Sequence, residues 1–139
     1  MKCVINIKDT HIIDGDKESA ENSVQGNFTF GKESYTIRYK ESGEGYEGCF
    51  VTLTVQGQKV TMHRKGTLTT EMIIEKGKHH TCAYATPVGI MDLGVYANEV
   101  KSDVTENGGE LKFSYSLSAG GQHLSENQLM ITIKEVDKK

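Results

Sequence analysis

Tyr84-Ala-Thr-Pro-Val-Gly89 carries the only proline of the chain, Pro87, amid short runs that alternate apolar and polar residues. Proline lacks a backbone N–H and fixes φ, so it marks a strand start, an edge or a sharp corner, not a central strand. Gly89 supplies φ freedom for that corner. Upstream, residues 79–86 read as the strand entering it, with His80, Cys82, Tyr84 and Thr86 on one face. Downstream, residues 90–104 are long for a simple strand and change parity. Met91, Leu93, Val95 and Ala97 share one face, and Val100 and Val104 fall on the other, so a bulge or break is expected near Asn98.

The same alternation extends in both directions. Residues 3–9 form the expected first strand, followed by a turn at Asp14-Gly15. Residues 16–23 are polar and permit a helical turn, an edge strand or a loop. In residues 24–30 Gly26 shares a face with Val24, Phe28 and Phe30, which points to a bulge or a close backbone approach. Then come three inward rows: Tyr35, Ile37, Tyr39 and Glu41; Val51, Leu53 and Val55; and Val60, Met62 and Arg64. Leu68, Met72 and Ile74 make a fourth. Past Asn107-Gly108, a type I′ hairpin signal, Leu111, Phe113, Tyr115 and Leu117 alternate cleanly, and Leu129, Ile131 and Ile133 form the last row. No helical period is sustained anywhere. About eight to ten short antiparallel strands predict an all-β fold, a single closed barrel, because closure removes exposed edges. A two-sheet sandwich is the alternative.

Bulk properties narrow the function classes. At 139 residues and 15.4 kDa the chain makes one domain. A net charge of −3 argues against nucleic-acid binding, which leaves a basic patch or stripe. The N-terminal apolar stretch is too short for a secretory signal, and no segment nears the ~20 apolar residues of a membrane span. Cys3, Cys49 and Cys82 are odd in number and lack C-x-x-C spacing, so no disulfide framework is expected and the cytoplasm is the plain location.

The order of several motifs resembles the YwiB-like family, the domain of unknown function numbered 1934. They are Tyr39-x-Glu41, Arg64-Lys-Gly66, Met72 with Gly77, Tyr84-x-Thr-Pro-x-Gly89, Gly109-x-Leu with Tyr115-x-Leu117, and Leu129-x-Ile-x-Ile-x-Glu135. The likeness runs over residues 24–139, with the Tyr-x-Thr-Pro-x-Gly element its most specific part. It implies a calycin-like (lipocalin-like) antiparallel barrel in a small bacterial cytoplasmic protein, and it implies no activity. By analogy with lipocalins it raises the prior for ligand binding.

Glu41 and Arg64 both continue inward rows. A carboxylate inside a barrel needs a partner, and the planar guanidinium is the preferred one. The pair is either a polar anchor at a pocket mouth or a structural or solvated pair at strand ends. His79, His80 and Cys82, with His63 on another strand, contain zinc-ligand types. The second close ligand pair of a zinc site is missing, and His63 has outward parity, so no metal and no cofactor is expected. No Gly-x-Ser-x-Gly elbow, Walker or dinucleotide glycine pattern occurs. Cys82 reads as a small core residue, not a reactive thiolate.

The expectation is a non-enzymatic module binding a small apolar or amphipathic ligand, with Tyr39, Glu41, Arg64, Tyr84, Thr86 and Tyr115 lining the site. Tyr84, Arg64 and Glu41 are expected to converge beside Pro87, with a trans Thr86–Pro87 bond. The alternative is a filled barrel acting as an interaction or structural module, monomer or homodimer, through outward Phe50, Ile73 and Tyr96. Neither reading involves nucleic acid or a membrane.

Overall fold

The computed structural model describes residues 2–40, 49–66, 69–86 and 89–135, residues 84–86 by backbone alone. Ten strands account for nearly all of them. They are β1 (Lys2–Ile13), β2 (Asp16–Phe30), β3 (Tyr35–Lys40), β4 (Phe50–Gln56), β5 (Lys59–Lys65), β6 (Thr70–Glu75), β7 (His79–Thr86), β8 (Gly89–Thr105), β9 (Gly108–Ala119) and β10 (Gln122–Glu135). They form one sheet in the order β6-β5-β4-β3-β2-β1-β10-β9-β8-β7. Each neighbour is also a neighbour in sequence, except β1 and β10, which pair antiparallel from Cys3↔Glu135 to Ile12↔Glu126.

The two edge strands, β6 and β7, meet at a seam that has no ladder among the described residues. Other contacts hold it. The Cys82 thiol donates to the Glu71 carbonyl at 3.0 Å, and His80 Nε2 lies 2.9 Å from Glu75 Oε1. The Gly77 N–H donates to the Ala97 carbonyl at 3.1 Å. The fold is therefore a nearly closed antiparallel barrel of ten strands, of the calycin-like (lipocalin-like) kind, and not a two-sheet sandwich.

Alternation places one side chain in two inside the barrel. Ile37, Val51, Leu53, Val55, Val60 and Ile74 are all buried, as their parity rows require. The parity change in β8 has the expected cause. The β8–β9 register shifts between Ala97 and Glu99, and the extra residue returns Val100 to the core, with Val104 packed against it. Gly26 is a close approach: a Cβ there would collide with the Arg38 carbonyl and sit 2.6 Å from Ile5 Cδ1. The polar residues 16–23 are strand, the first half of β2, paired with β1 throughout.

One turn differs from expectation. Thr105 pairs with Gly108, so the β8–β9 turn is centred on Glu106 and Asn107, one residue earlier than Asn107-Gly108. Asn107 does not have positive φ, which type I′ requires; positive φ falls instead on Gly108, at 110°, and Gly109, at 145°. The hairpin forms, but glycine after the turn takes the conformation that asparagine was expected to share.

The barrel interior divides into two halves. Towards the end bearing the β4–β5 and β8–β9 turns it is packed, with Ile5, Phe28, Ile37, Leu53, Leu111 and Phe113 essentially inaccessible and a smaller recess of about 170 Å³ at the rim beside Tyr35 and Ser102. Phe28, Phe30 and Tyr35 pack ring to ring there, with centroids 5.9–6.1 Å apart. The Tyr35 hydroxyl crosses the lumen to Ser102 Oγ, 2.5 Å away on β8. The other end is the one where β7 finishes at Thr86 and β8 begins at Gly89, and it is hollow. Among the described residues no helix is long and apolar enough to cross a membrane.

Candidate functional site

The hollow half is a cavity of about 530 Å³. Its apolar wall is rich in methionine: Met62 and Met72, cross-strand partners on β5 and β6, with Met91, Leu93, Leu117 and Leu129 from β8, β9 and β10. Methionine is unbranched and polarizable and accommodates ligands of varied shape. Tyr39 and Tyr115 are buried and add aromatic surface. Asp9, His11, Asn22, Arg64 and Asn127 provide polar groups.

Three residues singled out by sequence parity, Tyr39, Arg64 and Tyr115, thus line one cavity. Each of the three also engages a neighbour of its own. Glu41 lies outside the described residues. Tyr84 and Thr86 are described by backbone alone, which pairs Tyr84 with Met91 and Thr86 with Gly89 at the cavity end of the hairpin. The expected convergence of Tyr84, Arg64 and Glu41 and the isomer of the Thr86–Pro87 bond lie outside the described residues.

The most ordered polar group of the cavity involves residues that the sequence reading passed over. His11 and Asn127 are partners across β1 and β10, and Asn127 in turn pairs with Tyr115 on β9. The Asn127 side chain is buried, and its amide N–H groups donate to Ser125 Oγ at 3.0 Å and the Tyr115 carbonyl at 3.5 Å. With both hydrogens directed there, Oδ1 is the acceptor facing His11 Nδ1 at 2.6 Å. The hydrogen on this ring nitrogen follows from the network. The other ring nitrogen, Nε2, lies 3.1 Å from Asp9 Oδ1. That approach is outside hydrogen-bond geometry, although the oxygen is shut off from solvent.

A signal for this group exists in the sequence. Asp9 and His11 extend the Ile5 and Ile7 parity of β1, and Asn127 continues the Leu129, Ile131, Ile133 row backwards. Polar residues on an apolar row are easily taken for the row's end.

The histidines and cysteine weighed as metal ligands are engaged elsewhere. His80 and Cys82 hold the seam, and the His79 ring packs on Tyr96 at 4.8 Å between centroids. His63 has the outward parity and pairs with Glu71. Among the described residues no group of three His, Cys, Asp or Glu is placed to hold a metal ion. Burial, with the Glu71 charge acting in the same direction, pushes the Cys82 thiol above its ordinary range and away from thiolate chemistry.

The family described as Domain of unknown function (DUF1934) matches residues 5–131, the greater part of the chain. The chain belongs to this family. Its DUF1934 membership takes in β1, which the motif resemblance left out. A structural comparison agrees: the crystal structure of ywiB protein from Bacillus subtilis matches with a TM-score of 0.86. That match covers 98% of this chain and 92% of the other at 18% identity, a likeness of fold. No curated protein sequence matches the chain.

Proposed function

We propose that this DUF1934 protein is a non-enzymatic binding module that holds a small apolar or amphipathic molecule inside its barrel. The carrying observation is the half-hollow interior. Barrels of this size can be filled by side chains or hold a ligand. Here one half is packed and the other leaves about 530 Å³. That volume falls within the range of roughly 300–1,000 Å³ common for small-molecule sites. Flexible methionines and two tyrosines favour an apolar or amphipathic occupant, and no cofactor is called for. The net charge of −3 speaks against nucleic acid, and a cytoplasmic setting fits the three unpaired cysteines.

The interaction-module reading has less support. Phe50 is 58% exposed, but it sits in the Lys40–Phe50–Lys65 row, whereas Ile73 lies in the Thr54–Thr61–Ile73 row. Tyr96 is on β8, two strands from β6 across the seam, and is partly covered by His79. These residues make no single apolar patch of the kind a docking surface needs.

Native mass spectrometry of freshly purified protein tests the cavity reading. The expected spectrum shows an added mass that is released on denaturation. A clean apo mass under gentle conditions, with no uptake of added alkyl amphiphiles, contradicts it.

A further inference from the structure

The ligand's polar end has a receptor in the Asp9–His11–Asn127 group, and we infer that it selects an amphiphile with a cationic hydrogen-donating head, an alkylamine type. This inference rests on the cavity reading above and specifies its ligand class. The group's inner members, Asn127 and His11, are held in fixed orientations. Ser125 and the Tyr115 carbonyl set the Asn127 amide, Asn127 sets the His11 ring, and His11 Nε2 faces one oxygen of Asp9. Asp9 Oδ1 is inaccessible, yet the side chain as a whole is 35% exposed, so the exposure falls on the rest of the side chain. Asp9 lines the cavity, and Asn22 lies close by on β2, where its cross-strand partner Ile7 also faces the lumen.

The result is a carboxylate on the cavity wall whose buried oxygen has no hydrogen-bond donor among the described residues. An acceptor left without a donor, in a setting less polar than water, gains most from a charged one. The cavity's own cation does not compete for this position. Arg64 stands on β5, four strands round from β1 and so nearly opposite, and it already engages a neighbour. A molecule with its amine at Asp9 and its chain against Met62, Met72 and Met91 uses both the polar and the apolar wall.

The test uses the 139-residue chain titrated by calorimetry with decylamine, decanol and decanoate, each below its micellar concentration. Decylamine is expected to bind most tightly. Asp9→Asn is expected to weaken it about ten- to a hundredfold, the scale of one charge-assisted hydrogen bond, while leaving decanol unchanged. His11→Gln, which removes the ring beside the carboxylate but keeps Asp9 itself, should weaken it less. Decanoate binding as tightly as decylamine overturns the head-group assignment and leaves the cavity reading standing, as does decylamine binding unmoved by Asp9→Asn. Failure of all three to bind overturns both. The ranking on the unmodified chain decides the matter even if a variant misfolds.

Discussion

Tyr35 shows how one residue can belong to the core and still carry a polar bond. Its ring packs against Phe28 and Phe30 while its hydroxyl meets Ser102 from across the barrel. Burial raises its phenol above the ordinary value of 10.0, and the Ser102 hydrogen bond only partly opposes this. A raised value means that the folded state keeps the proton longer than the unfolded chain. The corresponding stability is intact below about pH 10 and is lost as pH climbs through the raised value. Tyr35→Phe is expected to cost roughly 1 kcal/mol at neutral pH, from the lost hydrogen bond. It should also flatten the alkaline fall in stability, measured by urea unfolding from pH 8 to 11. An unchanged alkaline slope would place the titration elsewhere. Asn127 plays the matching part in the hollow half, where its amide, not a hydrophobe, fills a buried place and orients its neighbours.

Among the elements, β8 depends most on a single irregularity. Side chains alternate with period two, so one extra residue exchanges the inward and outward sets beyond it. The shift between Ala97 and Glu99 lets Leu93, Val95 and Ala97 and then Val100 face the same core. Deleting Asn98 should remove the bulge and leave a regular strand in which Ala97 and Val100, then two positions apart, still share the inward face. The expected outcome is retained cooperative unfolding, followed by circular dichroism and amide exchange; loss of cooperativity would show that the barrel needs the local twist of the bulge as well as the parity it sets. The bulge was legible from the apolar parity alone. The β8–β9 turn was legible only to within a residue, because Asn107-Gly108 fits more than one hairpin geometry, and the register of the paired strands chose between them. Residues 16–23 were ambiguous for a related reason. They have no apolar face, and their strand conformation comes from pairing with β1, residue by residue up to Ile13↔Asp16.

At the scale of the whole molecule, the barrel is two regions with different tolerances. Leu53 is wholly buried in the packed half, and Met62 borders the cavity, although both are inward residues on adjacent strands and cross-strand partners. Truncation in a packed site leaves a new void, whereas truncation at a cavity wall enlarges an existing one. Leu53→Ala is therefore expected to cost about 3 kcal/mol or more, within the range for buried leucine. Met62→Ala should cost at least roughly 1 kcal/mol less, because it forfeits contacts on one side only. Chemical denaturation of the two variants checks the order, and equal losses would argue that the hollow half is filled in solution.

By itself the amino-acid sequence determined which side chains face inward, because strand periodicity is local and each apolar row declares its face. That was enough for an all-β barrel and for Tyr39, Arg64 and Tyr115 as cavity residues. It could not say that the interior is packed at one end and hollow at the other, since that depends on how ten inward rows meet in space. Only the tertiary structure decided it, through strand register and stagger. The same holds for Asp9, His11 and Asn127. Asp9 and His11 are neighbours on β1, Asn127 lies 116 residues beyond His11, and the β1–β10 pairing in the middle of the sheet brings them side by side.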